Sequence, residues 1–436
     1  MSLIRISNLG PVKKYSEKTD DKLLILIGEQ TSGKSTVAKM IFFCKSISDE
    51  FKKFLMEPNN LVGRRNQGIS LTGFYKVLRT KFMEYFGTTK HMDFFKIEYT
   101  FDNNETVKII LEESYANIYF SKYLKEKCNE LIFTIKEYYQ NQEKNFSKKL
   151  DLKLWTSQQE KFENMVDTEV NRIFAQEYTP IFIPAGRSML STNSEFFYTR
   201  TPNKYDVLMN EFIERIRILQ KQYFQKIEDI VEDRKKLSSE EIDFKSVNKA
   251  IGLVRKILKG DYINDKSGEK IYYEKEKFVK LIQASSGQQE SLWIVLMLFS
   301  IILNNQKVYM VIEEPEAHLF PTAQKEILEL IILMINSTGS RVILTTHSPY
   351  ILTSANLLMY SSYVEKDSKS AQDIVTDEFR IANEDISAYL LKDFSEINIM
   401  DRENKMIDAS TIDTISEELN IAIDKLLEME MEHGLY

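Results

Sequence analysis

The chain has 436 residues, 43% of them hydrophobic, and a formal net charge of −7. That is enough apolar material for two or three domains with sizeable cores, and too much for a disordered chain. The acidic balance argues against a protein that coats nucleic acid along its whole surface; a local basic groove stays open, and Lys13-Lys14, Arg64-Arg65, Lys148-Lys149 and Lys235-Lys236 are candidates that read first as solvated surface pairs.

The two cysteines, Cys44 and Cys128, lack metal-ligand spacing, which fits a reduced, cytoplasmic compartment without a disulfide framework. The opening residues lack the apolar stretch of a signal peptide. The longest apolar run, Leu292 to Leu303, is interrupted by Ser300 and is too short to span a bilayer. It is expected to be a buried core helix, with no membrane partner.

In chain order, Leu3 to Ser7 alternates as a strand and Asn8-Leu9-Gly10-Pro11 is a turn. Leu23-Leu24-Ile25-Leu26-Ile27 then reads as a buried strand. It feeds Gly28-Glu29-Gln30-Thr31-Ser32-Gly33-Lys34-Ser35, which has the spacing of a phosphate-binding loop. Glycines let such a loop wrap an anion, successive N–H groups point inward, and the following helix presents its positive end. Gly28, Gln30, Ser32, Gly33, Lys34, Ser35 and Thr36 are the expected nucleotide contacts. Lys34 suits the β- and γ-phosphates, and the Ser35 hydroxyl suits Mg²⁺. The alternative is a Gly/Ser-rich turn without chemistry. The amphipathic helix after the loop (Val37, Ala38, Met40, Ile41), running to about Lys52, speaks against it.

Phe94 to Phe101 and Val107 to Leu111 read as a hairpin turning at Asp102-Asn103-Asn104-Glu105, with Asn117 to Phe120 as a third strand. Ser121 to Glu177 is charged and helical. Pro180 to Pro184 is a strand ending in Ala185-Gly186-Arg187-Ser188. The spacing of Leu208, Phe212, Ile216, Leu219, Tyr223, Ile227 and Ile230 predicts one helix from Tyr205 to about Lys236. At 1.5 Å per residue it reaches only ~45 Å, too short for a coiled-coil arm. Lys259 to Ile282 suggests another hairpin, turning at Asn264 to Gly268.

Three further features follow. Ala284-Ser285-Ser286-Gly287-Gln288-Gln289-Glu290 is a small polar turn opening an apolar helix; its free N–H groups and Ser286 make a second potential phosphate site, or simply a helix cap. Val308 to Ile312 is a buried strand ending in Glu313-Glu314. One acid there can serve a metal shell and the next can polarise an attacking water. The competing reading is a solvated acidic turn. Arg341 to Thr346 is another apolar strand, ending at His347, where ligands bind in open parallel sheets.

The order of these features resembles the ABC-type ATPases. It resembles more closely the OLD-like (overcoming lysogenization defect) branch and related bacterial AAA-labelled ATPases of antiphage defence. Ile312-Glu313-Glu314-Pro315-Glu316-Ala317-His318-Leu319-Phe320-Pro321 and Thr345-Thr346-His347-Ser348-Pro349 carry that resemblance. It implies an α/β fold: an ABC-type P-loop core, with a mixed or parallel sheet, flanking helices, an antiparallel β-subdomain and a helical insertion. The expected divisions are 1–120 (P-loop and β-subdomain), 121–280 (largely helical insertion), 281–360 (second part of the core) and 361–436 (α/β tail).

By the same resemblance, Lys34 and Ser35 are Walker A residues and Ser286, Gly287 and Gln289 belong to the signature. Glu313 stands in place of the usual Walker B Asp and, with Ser35, serves the metal. Glu314 is the catalytic Glu and His347 the switch His. Glu29-Gln30 replaces a frequent Pro-Asn, Phe320 a frequent His, and Ser-Ser-Gly-Gln-Gln departs from Leu-Ser-Gly-Gly-Gln. No Q-loop glutamine is evident; Arg187 is either a lever for the nucleotide state or a surface residue.

The resemblance implies ATP and Mg²⁺, and a head-to-tail homodimer or higher homo-oligomer in which one copy's signature completes another's site. The tail of about ninety residues after His347 is too short for the Toprim nuclease domain of full OLD-like proteins. Asp401, Glu403 and Asp408 read as turn and surface acids. The effector is therefore expected to be a separate nuclease or toxin, with DNA or a phage protein as candidate triggers. Competing readings are an ABC transporter subunit, an SMC-like DNA-repair ATPase and a non-hydrolysing ATP-dependent scaffold.

Overall fold

The computed structural model describes residues 2–56, 69–145, 152–192, 205–237, 242–363, 369–408, 421 and 423–425. Arg64-Arg65, Lys148-Lys149 and nearly all of a helix expected over 413–431 lie outside them. β1 (Leu3–Leu9) and β2 (Val12–Lys18) form a hairpin, and β3 (Leu23–Ile27) leads to helix α1 (Lys34–Met56), followed by α2 (Leu71–Phe86). β4 (Lys96–Thr100), β5 (Thr106–Glu112) and β6 (Tyr115–Phe120) run antiparallel as expected. Helices α3 (Lys122–Asn145) and α4 (Leu152–Phe174) precede β7 (Thr179–Ile183) and the short α5 (Ser188–Thr192).

Next come α6 (Val207–Gln220), α7 (Ile227–Leu237), α8 (Phe244–Leu258) and a small sheet of β8 (Asp261–Asp265), β9 (Gly268–Tyr272) and β10 (Phe278–Lys280). Then follow α9 (Ser286–Leu303), β11 (Val308–Glu313), α10 (Pro321–Thr338), β12 (Arg341–Thr346) and α11 (Pro349–Tyr360). The chain continues through α12 (Lys369–Ile374), β13 (Ile386–Lys392), β14 (Ser395–Asn398) and the two-residue strands β15 (Met400–Asp401) and β16 (Met406–Ile407).

The central sheet has the order β14-β13-β3-β12-β11-β7, and only the β13–β14 pairing is antiparallel. A parallel sheet is covered on both faces, so its strands read as continuous apolar runs. β3 shows this: Leu24 and Leu26 face the core around α1, while Leu23, Ile25 and Ile27 face the core around α9 and α10. The second sheet, β2-β1-β4-β5-β6, is antiparallel. α1 lies between the two sheets, which explains why nearly every turn of it is buried.

The fold departs from expectation in several places. Val12–Lys18, unassigned from sequence, is an edge strand whose charges suit exposure. The helix expected over 205–236 is two helices, broken between Gln220 and Ile227. The break is tertiary: the Tyr223 carbonyl accepts the N–H of Asn264 (2.8 Å), and its ring is buried against Tyr262. Phe244–Leu258, also unassigned, is a helix capped by Asp243. β13, in the tail after residue 360, pairs in parallel with β3 and so joins the central sheet. Leu292–Leu303 lies in α9; that helix is long and apolar enough to cross a membrane, yet 89% of it is buried inside the fold.

Candidate functional site

β3, β12 and β11 are sheet neighbours and point the same way, so their C-terminal ends bring three distant segments to one edge. Open parallel sheets bind ligands at that edge. A cavity of about 210 Å³ opens there, lined by Pro11, residues 30–36, Glu314 and His347. Gln30, Ser32, Gly33, Lys34, Ser35 and Thr36 therefore meet Glu314 and His347 across one space.

Two glycines allow the loop its path. Gly33 has φ +101°, and a Cβ there would lie 2.7 Å from the Val12 side chain. Gly28 has φ +151°, and a Cβ there would lie 2.4 Å from the Leu391 carbonyl oxygen. The loop is thus gripped by the N-terminal hairpin on one side and the tail strand β13 on the other. The tail is itself fastened to that hairpin: Lys13 N–H donates to Phe394 O (2.9 Å), and Tyr389 donates to Glu17 (2.6 Å). Lys34 is buried, and its Nζ donates to the carbonyls of Gly28 (2.8 Å) and Glu29 (2.7 Å). Burial lowers its pKa, opposed by the charges of Glu314, Glu316 and Glu313.

Glu313 is buried at the end of β11. Its Oε2 accepts the Ala185 N–H at 3.3 Å, and its Oε1 is buried with no hydrogen-bond partner among the described residues. Ser32 Oγ and Glu316 Oε2 are left in the same condition. Buried polar atoms are nearly always paired, so these orphans, one on the loop that lines the cavity and two on the acids either side of Glu314 in the chain, suit a ligand and a hard cation. Glu314 has φ +44°, unusual for a residue with a side chain. Its N–H donates to Thr345 O (2.9 Å) and its Oε1 lies 3.5 Å from His347 Nε2. Both side chains are about 40% exposed, facing the cavity mouth.

Glu316 carries a role that no sequence signal singled out. It accepts the Thr346 hydroxyl (2.6 Å) and the His347 N–H (2.9 Å), fixing the backbone that presents His347. Ser348 donates to Gln324 (2.6 Å), which donates in turn to the Leu319 carbonyl (2.9 Å), tying the same turn to the start of α10. Burial raises the Glu316 pKa above 4.5, outweighing those hydrogen bonds. The folded chain therefore holds this proton longer than the unfolded one. Its contribution to stability is full below pH 4.5 and is lost as pH rises through the raised folded value. Glu316→Gln, which cannot titrate, is expected to gain stability relative to wild type as pH rises from 4.5 through that raised value. Thermal unfolding of both proteins across that range checks it; a difference that stays flat with pH would contradict the assignment.

The signature residues stand apart from this cavity. Ser285, not Ser286, caps α9, in a capping box with Gln288. Ser286 is exposed in the first turn. Gly287 and Gln289, expected to face a nucleotide, are buried in their own chain. A Cβ on Gly287 would lie 2.7 Å from the His318 carbonyl, and Gln289 donates to the carbonyls of Leu281 (2.9 Å) and Ile282 (3.2 Å). Arg187 is not a surface residue: it is fully buried behind the Glu313-Glu314 turn. Asp401 accepts the N–H groups of Glu403 (3.0 Å) and Asn404 (2.9 Å), the bonding of a turn acid.

No curated protein sequence matches the chain. Among solved structures, it is similar to an Smc head bound to the C-winged helix domain of ScpA (11% identity, 91% of this chain and 96% of that one, TM-score 0.41). It is also similar to the SMC head domain from Thermotoga maritima (11% identity, 92% and 98%, TM-score 0.37). A third is an Smc head with an extended coiled coil, bound to the C-terminal domain of ScpA derived from Pyrococcus furiosus (11%, 96% and 100%, 0.40). Overlaps this loose assign the chain neither a partner nor an activity. The sequence itself matches a family model over residues 1–352, which include the loop, both strand-end acids and His347, and by that match the chain belongs to the AAA ATPase domain family.

Proposed function

We propose that the chain binds and hydrolyses ATP as an ABC-type, OLD-like switch whose composite site is completed by a second copy. The observation that carries this reading is the cavity itself: loop, Glu314 and His347 line one space, the loop's Ser32 Oγ is buried without a partner among the described residues, and Ser286 is absent from the lining.

Gly28, Gln30, Ser32, Gly33 and Thr36 cradle the phosphates through loop N–H and hydroxyl groups. Lys34, now bonded to loop carbonyls, exchanges them for phosphate oxygens. Ser35 and Glu313 would hold Mg²⁺, which when bound neutralises charge on the β- and γ-phosphates. Glu314 accepts a proton from the attacking water, and His347 donates a hydrogen bond to the γ-phosphate, with Glu316 keeping it in place. Ser286, exposed at a helix N-terminus, is available to the nucleotide of another copy; Gly287 lets that terminus pack on His318, and Gln289 braces it from within. The ligand thereby becomes part of an interface that weakens when the γ-phosphate leaves.

The Glu313-Glu314-Pro315-Glu316-Ala317-His318 stretch favours the antiphage-defence branch, with a separate nuclease or toxin as the controlled effector and DNA or a phage protein as trigger.

Mixing two inactive variants tests completion in trans. Lys34→Ala disables the loop and Ser286→Arg disables the signature. Each alone is expected to lose ATP turnover. Their equimolar mixture is expected to turn over ATP faster than either variant alone, to at most about a quarter of the wild-type rate, since half of the random pairs are mixed and each holds one intact site. A mixture that stays inactive while the wild type turns over would sink the composite site.

A further inference from the structure

Arg187 is fully buried, and a cation so placed needs partners on every side. They come from three segments. Nη1 donates to the carbonyls of Pro184 (2.6 Å) and Glu313 (2.7 Å), and Nη2 to the carbonyl of Glu314 (2.8 Å). Nε donates to the carbonyl of Glu290 (3.1 Å) and lies 3.4 Å from its carboxylate. That carboxylate also accepts the N–H groups of Arg187 (3.1 Å) and Ser188 (2.9 Å). Glu290 stands one turn into α9, four residues after Ser286. A single rigid guanidinium thus joins the end of β7, the start of α9 and both carbonyls of the strand-end acids.

We propose that Arg187 and Glu290 couple the two half-sites of one subunit, so that engagement of Ser286 by one nucleotide sets the backbone of Glu314 at the other. This rests on the composite site described above. In a head-to-tail pair, each chain offers Ser286 to one nucleotide and Glu314 to another. Glu314 holds a positive φ, a conformation that surrounding bonds must maintain. Its carbonyl is held by Arg187, and the carbonyl before it by the same side chain. A displacement of the α9 N-terminus moves Glu290. Glu290 moves Arg187, and Arg187 moves the peptide that aims the Glu314 carboxylate. The planar fork of arginine transmits this movement; lysine, with one flexible point charge, does not. Arg187 is therefore a positioning residue, and its consequence is that engagement at one site speeds turnover at the other.

The test compares wild type, Arg187→Lys and Glu290→Gln in Mg·ATP turnover over a range of ATP concentrations, alongside equilibrium ATP binding. Wild type is expected to show a Hill coefficient above 1. Both variants are expected to bind ATP within about threefold of wild type, with kcat down by about 10²-fold for Arg187→Lys and about tenfold for Glu290→Gln. The Hill coefficient should fall to about 1 in both. If Arg187→Lys does not fold, Glu290→Gln, which keeps the side-chain shape, carries the test alone. Unchanged kcat and Hill coefficient in a hydrolysing background overturn the coupling and leave the composite site standing. Parallel losses of binding and turnover also overturn it, because they mark a scaffold. A wild-type chain that binds ATP without hydrolysing it overturns the hydrolytic reading and the coupling together.

Discussion

Glu314→Gln is expected to lower ATP turnover by about 10²- to 10⁴-fold while leaving ATP bound, because it removes the proton acceptor and little else. The side chains are isosteric. The backbone that places residue 314 is fastened independently of the carboxylate, by its N–H on Thr345 O and its carbonyl under Arg187. The substitution also removes one negative charge from a site that holds Glu313 and Glu316 and would receive a polyphosphate. Nucleotide affinity should therefore hold or rise, and the ATP-joined assembly should accumulate. Light scattering after gel filtration with Mg·ATP, set beside a phosphate-release assay, reads both effects. Turnover at the wild-type rate would remove Glu314 from its role.

Gly28→Ala is expected to cost about 2–4 kcal/mol of stability and most of the ATP affinity, although it adds only one methyl group. The new Cβ would fall 2.4 Å from Leu391 O and 2.9 Å from Ser32 Oγ, at φ +151°. Leu391 cannot step aside cheaply. The preceding residue, Leu390, is in register with Ile27, so its strand is pinned to the one that carries the loop. Gly339→Ala is the control: φ is +68° there, and nothing lies within 4 Å of the added atom. It should cost only about 1–2 kcal/mol, for the backbone conformation alone. Chemical denaturation and ATP titration of both variants separate clash from strain. Equal costs at the two positions would show that the tail strand does not constrain the loop.

The loop, the strand-end acids and the strand-end histidine were legible because each is a local pattern with its own physical cause. A strand buried on both faces must be apolar throughout, as Leu23–Ile27 and Val308–Ile312 are, and the polar residues that follow it must serve the edge of the sheet. The antiparallel run from Lys96 to Phe120 was legible for a similar reason, since its buried and exposed residues alternate. The break between Gln220 and Ile227 was not, because the apolar spacing continues through it while the Tyr223 carbonyl has left for Asn264. Glu316 was hidden, and Arg187 stayed open between a lever for the nucleotide state and a surface residue, for a related reason. Charged residues in a turn read as solvated until the chain that covers them is known.

Local pattern is enough to name the parts of the site: a glycine-bearing loop, paired acids and a histidine, each attached to a strand that had to be buried. How those parts bear on one another comes from packing between distant segments. β13 begins more than 350 residues after β3 and lies beside it, so a tail strand presses on Gly28. Arg187 joins Glu290 to Glu314 although they stand 24 residues apart in sequence. Hydrophobic periodicity reports which face of an element avoids water. It carries no information about which distant backbone carbonyl or carboxylate will meet that face, and those meetings place Glu314 and grip the loop.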